Sequence, residues 1–182
     1  MTMGREGRRI RRRGAVREAA ALAALVAAGC MPATQPPATD AALGRVAAAV
    51  HRDIYDRPVA LAPVLAGRAV LYFFRTDCGH CRASLAAVGR LPGGPDAPAL
   101  ILISREDAPR LRAALGPAPR PGLIVVSDRD GALMGSALPT RYVPRVIAVE
   151  RFRVRLDATG AAAPGLPEAV AALARRRSRG AE

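Results

Sequence analysis

The stretch Ala69–Leu85, AVLYFFRTDCGHCRASL, decides the fold. Its opening, Ala69 to Phe74, is an unbroken apolar run of strand length, the pattern of a strand buried on both faces. Beyond it stand Cys78 and Cys81, after which Cys81, Leu85 and Val88 recur at helical spacing. A buried strand therefore gives way to a helix, with Cys78 at the helix N-terminus. Unpaired backbone N–H groups and the helix dipole favour a thiolate there. Cys81, one turn in, can reach Cys78 but is shielded by the helix.

The pair has few uses. Haem attachment needs Cys-x-x-Cys-His, and the residue after Cys81 is Arg82, with His80 lying inside the pair. A structural zinc site needs four ligands; beyond Cys78, His80 and Cys81 the chain offers only His51 and Cys30. As a structural staple, so small a ring stabilises by only about 2 kcal/mol in the loop-entropy model. A disulfide that gains little from being closed is easily opened, which suits redox exchange. Cys78 is then the attacking nucleophile and Cys81 the resolving thiol. His80 can donate a hydrogen bond to the Cys78 thiolate or place positive charge beside it, Arg75 and Arg82 act in the same sense, and Asp77 opposes them. These residues leave the direction of electron flow open.

Outward from the pair, strands and helices alternate. ALILIS (Ala99–Ser104) and LIVVS (Leu123–Ser127) read as further buried strands, separated by the helix-like REDAPRLRAAL. RVIAVE and RFRVRLD read as two extended pieces forming a hairpin, although no strong turn signal separates them. ALMGSALPTRY, before them, has no clear pattern. LPEAVAALARRR is a helix with Pro167 and Glu168 early and Arg late. Upstream, residues 41–55 have helical spacing and PVALAPVLAGR reads as extended. The expected architecture is α/β: a central mixed β-sheet flanked by helices, with an N-terminal extension.

All 28 basic residues are Arg, and the net charge is +13. Seven of them precede residue 20 and four follow residue 174, so residues 30–174 carry only +5. Charge concentrated at the chain ends, with an ordinary surface between them, speaks against nucleic-acid binding. The N-terminal cluster, GREGRRIRRRGAVRE, is followed by the apolar run AAALAALVAAG and Cys30, an arrangement matching a secretory signal peptide and too short to span a bilayer as a helix. Ala28-Gly29-Cys30 resembles a bacterial lipobox, although Ala27 stands where Leu is preferred. That resemblance implies lipid attachment at Cys30, which leaves one clean cysteine pair. The expected organisation is a signal peptide over 1–29, a Pro-rich tether over 30–40, a helical extension over 41–56, the main domain over 57–178 and a tail over 179–182.

FFRTDCGHC preceded by PVALAPVLAGRAVLY resembles the active-site region of TlpA-like (ResA-like) members of the thioredoxin superfamily. The resemblance implies a thioredoxin-like fold, a redox-active Cys78–Cys81 disulfide with no other cofactor, and a cis-proline facing it. Pro144, in YVPRVIAV, matches that proline, and the Val143 backbone would offer an edge to an extended substrate chain. Three positions depart from the family pattern. Asp77 replaces the common Trp, Tyr72 stands where many thioredoxins bury an acid, and Arg145 replaces the usual Thr. Asp77 and Arg145 could either pair across the site or give it an unusual substrate preference.

The expected activity is extracytoplasmic thiol–disulfide exchange with protein substrates through Cys78-Gly79-His80-Cys81. The location is membrane-anchored on the periplasmic side through Cys30, or secreted if Cys30 carries no lipid. The resemblance favours a reductant supplied by a membrane electron donor of DsbD type. The Gly-His dipeptide, shared with protein disulfide isomerases, favours oxidation or isomerisation instead. The alternative is a Cu(I)-binding, copper-delivery protein of the same fold, in which two soft thiolates are joined by the distant His51.

Overall fold

Strand β3 (Arg68–Phe73) forms the middle of a five-stranded mixed sheet, with β4 (Ala99–Ser104) and then β5 (Leu123–Ser127) on one side and β6 (Arg145–Glu150) and then β7 (Arg153–Thr159) on the other. This computed structural model describes residues 34–179 except residues 95 and 117–121, so the expected signal peptide over 1–29 and Cys30 lie outside the described residues. Strands β4 and β5 run parallel to β3. β6 runs antiparallel to β3, and β7 antiparallel to β6. The three apolar runs become the three parallel strands because only a strand covered on both faces buries every side chain.

Alternation along β3 divides the core in two. Leu71 and Phe73 point to one face with Ile101, Ile103, Ile147 and Val149, while Val70, Tyr72 and Phe74 point to the other with Leu100, Leu102 and Val146. The first face is covered by α1 (Asp40–Ala48), by Leu65 of the short helix α2 (Ala62–Leu65), and by a π-helical turn over Ala132–Ala137. The second is covered by α3 (Gly79–Ala87), α4 (Ala108–Leu115) and α5 (Leu166–Arg179). Side-chain caps start α1 and α4. Thr39 Oγ1 accepts from Ala42 N at 3.1 Å and Asp107 from Arg110 N at 2.9 Å. The buried Asp128 accepts from Leu133 N and Met134 N at 2.9 and 2.7 Å. The Thr39 and Asp107 caps are each worth about 1 kcal/mol.

The β6–β7 hairpin forms as expected, and its turn explains the missing signal. Glu150 pairs with Arg153, so Arg151 and Phe152 make a two-residue loop, both with positive φ (50° and 61°). Such loops favour Asn and Gly. Here the conformation is held from outside: Arg151 N donates to Gly67 O at 2.8 Å and Phe152 N to Leu65 O at 2.9 Å.

The N-terminal extension differs from expectation in detail. The helix stops at Ala48, and β1 (Val50–Arg52) then pairs with β2 (Pro58–Ala60) as a small antiparallel hairpin. Asp53 closes the hairpin loop by accepting from Tyr55 N and Arg57 N at 2.8 and 2.9 Å, and it bridges to Val126 of β5. PVALAPVLAGR is likewise not extended throughout, because Pro63 sits in the first turn of α2, where a proline costs no hydrogen bond. Residues of the expected tether are bonded to the sheet. Ala38 N donates to Asp157 Oδ2 at 2.6 Å, and Gln35 accepts from Arg141 N at 2.8 Å and donates to Pro139 O. From Gln35 onward the chain is one compact unit.

Candidate active site

The site lies at the carboxyl end of β3. Phe74 N still donates to Ile103 O at 3.0 Å, and the chain then turns through Arg75–Asp77, with Cys78 N donating to Arg75 O at 3.3 Å. Cys78 is the N-cap of α3 in an extended conformation (φ −78°, ψ 118°), and its sulfur accepts from Cys81 N at 3.2 Å. A thiol thus occupies the place where Ser or Asp usually satisfies an orphan N–H, and a thiolate there gains from the helix dipole as well. Cys78 is partly exposed; Cys81 is fully buried, and both are free thiols. Burial, and then the neighbouring Cys78, push the Cys81 thiol up to about 12.

His80 stands exposed on the first turn of α3, and among the described residues the hydrogen bond reaching the Cys78 sulfur comes from Cys81 N. Pro144 is cis, as expected from the resemblance, and Val143 before it is half-buried. Register explains how these come together. Phe73 pairs with Arg145 across the antiparallel β3–β6 ladder, so the turn leaving β3 and the loop entering β6 share one end of the sheet. Cys78 and Val143 both pack against the same apolar cluster around Tyr72, Phe74 and Val146.

Asp77 and Arg145 do not pair across the site. Asp77 is held by Arg75 two residues earlier, Nε–Oδ1 at 2.9 Å and Nη2–Oδ2 at 2.6 Å, and this contact lowers its pKa. Arg145 is fully buried and points to the other face of the sheet, where its guanidinium lies 5.9 Å from the Phe73 ring centroid. Each of its N–H donors has a partner. Nε and Nη2 bind the Asp157 carboxylate at 2.8 and 2.7 Å, Nη2 also reaches Pro36 O at 3.1 Å, and Nη1 reaches Pro139 O and Thr140 Oγ1 at 2.8 and 3.2 Å. Full satisfaction is what makes a buried guanidinium tolerable. Its work is to fasten the loop before the cis-proline to β7 and to the N-terminal segment.

Glu106 was not singled out by the sequence. From the end of β4 its carboxylate accepts from Thr76 N at 2.9 Å and from Thr76 Oγ1 at 2.8 Å, and Arg110 of α4 binds it at 3.1 Å. It clamps the turn two residues before Cys78. An acid just past a buried strand next to the cysteine turn was the available signal, but which turn it faces depends on the strand order.

His51, the distant ligand of the copper alternative, is buried on β1, with Nε2 2.9 Å from Val46 O. Among the described residues no three His, Cys, Asp or Glu side chains gather as metal ligands would. No described helix is long and apolar enough to cross a membrane.

Comparison with solved structures bears on the architecture. A secreted disulfide oxidoreductase of Mycobacterium tuberculosis, homologous to E. coli DsbE, matches with a TM-score of 0.58 at 18% identity, covering 71% of this chain and 98% of its own. The chain has a thioredoxin-like fold. The exposed lipoprotein thioredoxin Etrx1 of Streptococcus pneumoniae matches thioredoxin-like strands and helices over 70% of this chain and 98% of its own, at TM-score 0.55 and 14% identity. PrxQ of Xylella fastidiosa covers 75% and 92%, at TM-score 0.57 and 14% identity. No family model and no curated protein matches the sequence.

Proposed function

We propose that the protein is a thiol–disulfide oxidoreductase acting on protein substrates, with Cys78 as nucleophile and Cys81 as resolving thiol. The observation that carries this reading is the asymmetry of the pair. A partly exposed sulfur caps a helix and accepts a backbone N–H, while its partner three residues on is buried and held protonated. In the reducing direction the Cys78 thiolate attacks a substrate disulfide. One substrate sulfur leaves as a thiolate, and a mixed disulfide forms on Cys78. Cys81 loses its proton and attacks the Cys78 sulfur, the second substrate thiolate departs, and Cys78–Cys81 closes. Two electrons have passed to the substrate. The cis Val143–Pro144 peptide, at the same end of the sheet, supplies the backbone edge for the substrate chain.

The basic-apolar N-terminus and Cys30 support an extracytoplasmic, lipid-anchored protein, as does likeness to a secreted oxidoreductase and an exposed lipoprotein. In that setting the pair works as a reductant recharged by a membrane dithiol donor of DsbD type. The test is reduction of insulin by dithiothreitol with the protein as catalyst, followed by trapping with Cys81→Ser. Catalysis abolished by Cys78→Ser, and mixed disulfides accumulating on Cys78 in Cys81→Ser, are the expected results. A Cys78→Ser variant as active as the parent would refute the reading.

A further inference from the structure

Tyr72 carries the one buried side-chain N or O atom among the described residues that has no hydrogen-bond partner, its hydroxyl. Buried hydroxyls are nearly always paired, so an exception calls for a reason. Phe at this position would keep the apolar ring and remove the unpaired group, and Phe73 and Phe74 follow immediately in the same strand.

The position of the ring is tightly set. Tyr72 is fully buried near the carboxyl end of β3, between Leu102 of β4 and Val146 of β6, and its ring stacks on Phe74 with centroids 6.2 Å apart. It belongs to the same packed cluster as Cys81, beneath the first turns of α3. Ser84, also buried, follows Cys81 by one turn on that face. The side chains of Ser84 and Cys81 lie where they act on the phenol as hydrogen-bonding neighbours, and Cys78 acts through its charge; none of them meets bonding geometry in the dithiol protein, and of the three only the two cysteines titrate. Those bearing on the Cys81 sulfur are Cys78, Tyr72 and the backbone of Arg75.

We propose that the Tyr72 hydroxyl is the hydrogen-bond donor that stabilises the Cys81 thiolate while it resolves the mixed disulfide on Cys78. The inference rests on the exchange reading above and deepens it. Burial, the larger cause of the raised Cys81 pKa, persists when Cys78 is tied up in a mixed disulfide. In that state too, burial keeps the Cys81 thiolate a small minority at neutral pH. Burial likewise raises the phenol, so Tyr72 keeps its proton and acts purely as a donor. The proton that Cys81 gives up ends on the departing substrate thiolate. The Cys78–Cys81 bond forms as the Cys78–substrate bond breaks, and no further oxidant or reductant is needed. The hydroxyl is unpaired in the dithiol protein because its partner is an anion formed only in the resolving step.

The test uses the full chain with Cys30→Ser, so that only the pair reports, and the aromatic disulfide dithionitrobenzoate as probe. The first thionitrobenzoate released reports attack by Cys78, and the second reports displacement by Cys81. With Tyr72→Phe the slowing is expected on the second release, by about tenfold or more, the worth of one hydrogen bond to a charged group. The pH–rate profile of that release moves to higher pH. A second release at the parental rate with an unmoved profile would overturn the proposal. So would equal slowing of both releases, which would mean that the hydroxyl serves the fold and not Cys81. If the parent protein itself releases no thionitrobenzoate, the proposal falls together with the exchange reading.

Discussion

Arg145 and Asp157 meet as a two-point ion pair beneath the cis Val143–Pro144 loop, Nε to Oδ1 at 2.8 Å and Nη2 to Oδ2 at 2.7 Å, with the guanidinium wholly buried. The same carboxylate accepts from Ala38 N, and the same guanidinium binds the carbonyls of Pro36 and Pro139. Three segments distant in sequence are thereby joined at one point: the stretch leading into α1, the loop entering β6, and β7.

Removing one partner strands the other. Arg145→Met leaves the Asp157 carboxylate half-buried without its cation, and leaves the carbonyls of Pro36 and Pro139 with only the Gln35 amide as donor. The expected loss is about 3–5 kcal/mol, read as a lower urea midpoint with an unchanged slope. Arg145→Met combined with Asp157→Leu should recover part of that loss, because no charge then remains to be solvated.

The pair also sets an acid limit. Burial works against the Asp157 anion, but the hydrogen bonds from Arg145 and Ala38 N prevail and hold its pKa below the ordinary value. A lowered folded-state pKa means that the unfolded chain takes up the proton first. The stabilisation is therefore present above the usual Asp value of about 3.9 and lost as pH falls through it toward the folded value. Chemical denaturation across that window should show a steep fall in stability for the parent. The fall should be shallower in the Arg145→Met/Asp157→Leu protein.

Glu106 gives a prediction confined to the cysteine turn. Glu106→Ala removes both acceptors of Thr76 and the ion pair with Arg110. The expected loss is about 1–3 kcal/mol, since a part-buried N–H is left unmatched. Hydrogen exchange should quicken at Thr76 and Cys78, with the amides of β7 unaffected. Uniform acceleration throughout the sheet would mean that Glu106 supports the fold generally and not this turn.

How much of this could be read from the chain depends on how local each cause is. The strands from Ala69, Ala99 and Leu123 announce themselves as apolar runs, and Cys78 announces itself as a helix cap, because burial on both faces and capping are written in consecutive residues. β1 and β2 are three residues each and gain their stability from pairing with one another and from Asp53, which no window of sequence registers. The partner of Arg145 was not legible for a related reason. Asp77 lies toward the same end of the sheet, but β6 turns Arg145 to the Phe73 face, and that choice follows from a strand register fixed by distant contacts. Glu106 and Tyr72 share this property: both residue types are visible in the sequence, and what they face is not.

The unequal burial of the two thiols leads to the last prediction. Cys78 is accessible and Cys81 is not, and the Cys81 thiol is raised to about 12. With iodoacetamide at neutral pH, mass spectrometry should find Cys78 alkylated long before Cys81. The two rates should converge only as the protein unfolds. Because the folded-state pKa is raised, the contribution of Cys81 to stability is whole below its unfolded value of about 8.5 and declines as pH rises toward 12. Tyr72 is raised for the same reason and adds to the decline at higher pH. Alkaline unfolding should therefore begin at higher pH in Cys81→Ala than in the parent, after allowance for the lost side chain. An identical alkaline midpoint would mean that Cys81 ionises in the folded protein as freely as in the unfolded one, which its burial against Tyr72 forbids.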